Sequence, residues 1–180
     1  MSNCVFTQEF SDWAHLIGYK VVTHTHEWLV SDFGETTYVI RFSGDMYTLA
    51  CLQWGREQFI MSTTCGTDIE RLLTVLLGDD IRAVRGLPRI GHIARLDGLC
   101  PDCQTRIDDT DRVVLMDSQG QMRGVFRAPI DVADRIIWFS WILEAPLGDL
   151  RASYLDPEGL PLFPGCWIGP TLTGLEQTES

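Results

Sequence analysis

Two cysteines three residues apart, Cys100-Pro-Asp-Cys103, form the most chemically suggestive pair in this 180-residue sequence. Such a spacing can ligate zinc or run thiol–disulfide exchange. A zinc ribbon needs a second CxxC or a paired-histidine element, and none follows. His24-Thr-His26 on a strand would only put two rings on one face. A thioredoxin-type site needs a strand before the pair and a helix after it, whereas Gly98, Pro101 and Asp102 read as turn. Cys51 and Cys65 fall at strand or strand-end positions, where a reduced thiol acts as a small apolar side chain. His15 and His92 select no nucleophile by their spacing. The sequence contains no GxSxG, HExxH, Walker loop or GxGxxG. The acid groups Asp79-Asp80, Asp32 with Glu35, and Asp108-Asp109 with Asp111 could share protons only if buried, and polar loops keep acids solvated. No catalytic residue, metal ligand set or cofactor site is expected.

Charge narrows the partners. Lysine and arginine number 14 against 25 aspartates and glutamates, a formal net charge of -11. That surface repels nucleic-acid phosphates and anionic lipid and invites a basic protein. The excess is uneven: residues 1–80 carry -7, residues 136–180 carry -5, and the middle carries +1. Arg82, Arg85, Arg89 and Arg95 cluster in that middle, where they are expected to neutralise their own acidic surroundings. The N-terminus lacks the basic and apolar regions of a secretory signal, and Ile136 to Leu143 is too short to span a bilayer. A soluble cytoplasmic protein is the expectation.

The elements that must position any site follow from periodicity. Phe6, Phe10, Trp13, Ala14 and Ile17 recur at helical spacing, with Gly18 placed to end the helix. Tyr19 to Thr23, Thr37 to Phe42, Met46 to Gln53 and Gln58 to Thr63 then read as strands of an antiparallel meander. Thr67 and Glu70 have the spacing of a capping box, and Ile69, Leu72, Leu73, Leu76 and Leu77 form a buried stripe that Gly78 should stop. Residues 86–109 read as loop, and Ser118-Gln119-Gly120 turns a hairpin between 112–117 and 121–127. Ile136 to Leu143 is expected as a central strand, with a helix as the competitor if Asp131 caps it. Pro146 opens a last helix to about Tyr154. The result is one α+β domain over residues 1–170, an antiparallel sheet with about three helices packed on it, and a polar tail at 171–180.

Aromatic residues supply the binding candidates. Trp13, Trp138 and Trp141 lie in apolar contexts and belong in a core. Trp28 precedes Ser31-Asp32-Phe33-Gly34-Glu35, so Trp28, Asp32, Phe33 and Glu35 form an acidic, aromatic-flanked loop suited to a basic partner. Asp108, Asp109 and Asp111 form a second acidic group. Inward-facing aromatics of a sheet are the competing explanation for Trp28.

Four stretches then carry a resemblance, in order along residues 10–165. They are Trp13 to Gly18-Tyr19, Gly34-Glu35-Thr36-Thr37-Tyr38-Val39-Ile40, the helix 67–78 followed by Arg82 and Gly86-Leu87-Pro88, and Ser153-Tyr154-Leu155-Asp156-Pro157-Glu158-Gly159-Leu160-Pro161-Leu162-Phe163. Together they resemble the TNT antitoxin family, the immunity factors for tuberculosis necrotizing toxin. The resemblance implies a bacterial immunity protein that binds a secreted NAD-glycohydrolase toxin one to one in the cytoplasm and blocks its active site. It implies no chemistry of the protein's own. The Cys100–Cys103 loop and the tail after Phe163 match no part of the family pattern. A small cytoplasmic thiol-dependent enzyme or a ligand-binding module is the alternative.

Overall fold

A computed structural model describes residues 5–32, 34, 36–91, 98–127, 132–163 and 167–168. Helix α1 (Gln8–His15) is capped by Thr7, whose hydroxyl accepts the Phe10 amide. The meander follows as β1 (Lys20–Thr23), β2 (Glu27–Ser31), β3 (Thr36–Ser43), β4 (Met46–Gln53) and β5 (Arg56–Thr63). Helix α2 (Gly66–Val84) comes next, then β6 (Ile90–Gly91), β7 (Gln104–Ile107), β8 (Arg112–Met116) and β9 (Met122–Arg127). Helices α3 (Val132–Ile142) and α4 (Leu147–Leu155) and strand β10 (Trp167–Ile168) complete the described chain. Eight strands form one antiparallel sheet in the order β1-β2-β3-β4-β5-β9-β8-β7, and β10 pairs with β6 apart from it. The expected α+β class and antiparallel sheet are what the chain adopts.

Alternation puts one face of the sheet against the helices. Trp28, Ile40, Leu49 and Met61 are directly opposite one another across β2 to β5 and are all buried. Phe126 and Leu115 extend that face onto β9 and β8, and Ile69, Leu72, Leu73 and Leu77 of α2 belong to the same core.

Several local expectations fail for physical reasons. Ile136 to Leu143 is helical and not a strand. Its buried members Ile136, Phe139 and Leu143 follow helical spacing, while Trp141 points away and is half exposed, so Trp141 is not a core residue. An apolar run of this length carries too little polar contrast to show its period. Residues 86–109 are not all loop. Strand β7 is exposed at every position, so no alternation announces it, and its pairing with β8 at the sheet edge defines it. The capping box at Thr67 and Glu70 is absent: α2 starts two residues earlier, at Gly66 behind Cys65, with no side-chain cap bond. Glu70 is buried and serves elsewhere, accepting the Thr7 amide and hydroxyl, both at 2.9 Å, and Arg151 at 2.6 Å.

Gly78 does not stop α2 but lets it pass beneath Tyr154. A Cβ at this position would sit 2.2 Å from the Tyr154 ring. That ring is fully buried and packs edge-on to Trp13 and Phe163, so it has nowhere to retreat. Four residues on, Arg82 is fully buried, and its guanidinium donates to the carbonyls of Pro88, Ser153, Tyr154, Asp156 and Pro157. It answers backbone oxygens, not the acidic side chains expected for the arginine cluster. Burial lowers its pKa from the ordinary arginine value, with Asp79 and Asp156 opposing that shift. Arg85 and Arg89 are exposed, and Arg95 lies outside the described residues.

Gly78→Ala gains about 1 kcal/mol of helix propensity but forces overpacking against an immobile ring. The expected net result is a loss of about 2 kcal/mol, read as a lower denaturant midpoint with unchanged m-value. A stabilised variant would show that the helix and ring are not in this contact.

Candidate functional site

Strand directions gather three connections at one end of the sheet. The β2–β3 connection lies beyond the Ser31–Thr37 pair, the β4–β5 turn beyond Gln53–Arg56, and the β7–β8 connection beyond Ile107–Val113. With strands spaced about 4.8 Å apart, the first two lie about 10 Å from each other and the third about 14 Å further along. The helices lie over one face and leave these tips as the sheet's margin.

The sequence candidates distribute unequally over this end. Asp32 is exposed, and its Oδ1 accepts the Gly34 amide at 2.7 Å, fixing the start of the β2–β3 connection. Phe33 and Glu35 lie outside the described residues. Trp28 is 4 % exposed and packs against Tyr47, so it belongs to the core and cannot present itself to a partner as the acidic-loop reading required. Its position on the inward row of β2 is the reason. Asp109 and Asp111 are exposed beside the β7–β8 connection. Asp108 organises that connection: Oδ1 accepts the Thr110 amide and hydroxyl and the Arg112 amide, and Oδ2 accepts Arg112 Nε at 3.0 Å. The Thr110 hydroxyl, followed by the Arg112 amide, holds the Asp108 carboxyl well below the usual carboxylate range. This carboxylate is committed within its own loop.

The surface is therefore mixed in charge. Phe59, Thr110, Arg112 and Arg127 line a cavity of about 360 Å³ at the same end. Trp54 occupies the β4–β5 turn and is 73 % exposed. Trp54 belongs to neither a core stripe nor an acidic run, and its one signal in the sequence is the Trp54-Gly55 dipeptide at a tight turn.

Elsewhere the structure offers little reactive chemistry. The Cys100–Cys103 pair closes a turn through a 2.8 Å bond from the Cys103 amide to the Cys100 carbonyl. This turn is fastened to α3: the Cys100 amide donates to Ser140 Oγ, and the Cys103 thiol faces the Ser140 carbonyl at 3.8 Å. Burial, and secondarily the neighbouring Cys100, push the Cys103 thiol up to about 11. A nucleophilic thiol requires the opposite shift. His15, His24 and His26 are exposed, and His92 lies outside the described residues. Among the described residues no group of three or more His, Cys, Asp or Glu could hold a metal ion. No helix there is long and apolar enough to cross a membrane. At pH 8 the Cys103 thiolate is a minor species, so iodoacetamide should label exposed Cys65 well before Cys103 by peptide mapping. Equal or faster labelling of Cys103 would contradict its assignment to the turn.

Comparison with known proteins assigns this arrangement to a family. The sequence profile of Imm61, immunity protein 61, matches residues 13–162. An immunity factor for TNT from Mycobacterium tuberculosis (strain ATCC 25618 / H37Rv) is 27 % identical over 164 residues, covering 86 % of this chain and 90 % of that protein. An immunity factor for TNT homolog from Mycobacterium bovis (strain BCG / Pasteur 1173P2) matches with the same identity and coverage. The solved structure of Rv3902c from M. tuberculosis superposes with a TM-score of 0.77 at 25 % identity, over 93 % of this chain and 98 % of that one. Because the profile spans the chain from α1 to the segment after α4, the chain belongs to the immunity protein 61 family.

Proposed function

We propose that this protein binds a cognate secreted NAD-glycohydrolase toxin one to one in the cytoplasm of the producing cell, blocks the toxin's active site and performs no catalysis itself. The observation that carries this reading is the family match over residues 13–162, joined to relatives named immunity factor for TNT. The chemistry of the chain is consistent with inhibition by contact. Its reactive groups are scattered or tied into turns, and its exposed carboxylates Asp32, Asp109 and Asp111 sit on connections at one end of a rigid sheet. Complementary charge at such tips accelerates encounter, while a few desolvated anchors set the lifetime of a complex. The thiol-enzyme alternative loses ground at Cys103, whose pKa shift disfavours the thiolate.

The test is NAD hydrolysis by the cognate toxin domain, titrated with the purified protein. Activity should fall linearly to near zero at one equivalent. Full activity at stoichiometric excess would refute the immunity function for that toxin. The double charge reversal Asp32→Lys, Asp109→Lys should slow association about tenfold at low ionic strength, and the difference should shrink as salt screens it. An association rate unchanged at every salt concentration would remove this end of the sheet as the steering surface.

A further inference from the structure

Trp54 stands where the fold has reason to reject it. The β4–β5 hairpin has a two-residue loop closed by the Gln53–Arg56 pair. Both loop residues have positive φ, 53° at Trp54 and 71° at Gly55, the signature of a type I′ turn. That turn favours Asn, Asp or Gly at its first position, because a Cβ there crowds the backbone. The neighbouring β3–β4 hairpin, whose two-residue loop has positive φ at its first position alone, places Gly44 there, at 65°. Among the described residues Trp54 and Asp111 are the non-glycine residues at positive φ, and aspartate tolerates the region through its short polar side chain.

The exposure of Trp54 is unfavourable as well. Trp13, Trp28 and Trp138 are buried, and Trp141, although half exposed, donates its indole N–H to the Gly98 carbonyl at 3.0 Å. Among the described residues the Trp54 side chain has no hydrogen-bond or ring partner, and it leaves a large aromatic surface in water. Leu52, two residues earlier on the same hairpin, is also exposed. A bulky aromatic held in a disfavoured backbone region, with no partner among the described residues, contributes nothing evident to folding. Local strain of this kind concentrates where a site needs it.

We infer that the β4–β5 turn is the anchor of the complex, with the Trp54 indole entering a cleft on the toxin that otherwise receives a planar ring of NAD. This rests on the immunity function proposed above. An enzyme that cleaves a dinucleotide must offer slots for flat heteroaromatic rings, and an indole on a rigid two-residue tip has the shape to fill one. Tryptophan is also the residue type most enriched among interface hot spots, and a central anchor ringed by polar contacts is their usual setting. The connections about 10 Å and 14 Å to either side, carrying Asp32 on one and Asp109 and Asp111 on the other, would supply such a rim.

Calorimetry with a catalytically inactive form of the same toxin domain tests the inference. Trp54→Ala should weaken binding roughly thirty-fold or more, and Trp54→Phe should recover part of the loss. Val84→Ser, which alters an exposed apolar residue at the end of α2, should bind within twofold of wild type. Saturating NAD should compete with the wild-type protein for this inactive toxin. In the absence of toxin, Trp54→Asn should raise the melting temperature by several degrees, because it relieves the turn, while abolishing tight binding. Wild-type binding combined with a near-neutral Trp54→Ala would overturn the inference and leave the immunity function standing; wild-type binding with no competition by NAD would overturn both the inference and the proposed active-site block. Failure of the wild-type protein to bind would overturn the function itself.

Discussion

Helix α2 is buried along most of its length yet carries Asp68, Glu70, Arg71 and Arg82, and the cost of desolvating four charges must be offset by partners. Apart from the Asp68–Arg71 pair within the helix and the nearby Pro88 carbonyl on Arg82, the partners come from segments far away in sequence. Asp68 receives Arg71 at 2.7 Å and the fork of Arg123 on β9, both bonds at 3.1 Å. Arg71 reaches the Ala145 carbonyl between α3 and α4. Glu70 holds the α1 cap at Thr7 and Arg151 of α4, and Arg82 collects the carbonyls that follow α4. Removing one member of such a set strands the others in the interior, typically at about 3–5 kcal/mol. One helix thereby fixes β9 and the chain segments around α1 and α4 against the sheet. Arg123 shows the coupling directly: Asp68, and to a smaller degree Glu144, hold its guanidinium above its ordinary pKa against the pull of desolvation.

A rigid sheet is what lets short connections act as a binding surface. The β2–β3, β4–β5 and β7–β8 tips are positioned by ladder hydrogen bonds, and Asp32 and Asp108 stiffen two of them from within by accepting backbone amides. Preorganised tips lose little entropy on binding. The same logic explains why the third tip can carry a tryptophan in a left-handed conformation: the paired strands on either side over-determine the turn. Stability is concentrated in the helix-covered face, and the opposite margin carries the features that stability alone would not select.

Strands β1, β3, β4 and β5 of the meander were legible because half-buried strands alternate, and because Ser43-Gly44-Asp45 and Trp54-Gly55 punctuate them, whereas β2 (Glu27–Ser31) was not among the expected strands. The stripe of α2 was legible for the corresponding reason at helical period. What escaped was set by tertiary context. Ile136 to Leu143 shows no contrast between its faces, edge strand β7 has no buried side to pattern, and Gly78 looked like a stop because Tyr154 is 76 positions away. At the candidate site, composition points to the acidic connections, while Trp28 reads either as a loop anchor or as an inward-facing sheet aromatic until its burial selects the second. Asp108 looked like a free carboxylate because internal acceptance of loop amides leaves no mark in charge counts.

Hydrogen–deuterium exchange on the free protein and on its complex with the inactive toxin domain tests most directly whether the loop end of the sheet is the docking surface. Complex formation should slow exchange in the β2–β3, β4–β5 and β7–β8 connections, most strongly around Trp54, and leave the outer surfaces of α1 and α4 unchanged. Protection centred on α1 and α4, with exchange at the three connections unaltered, would contradict it.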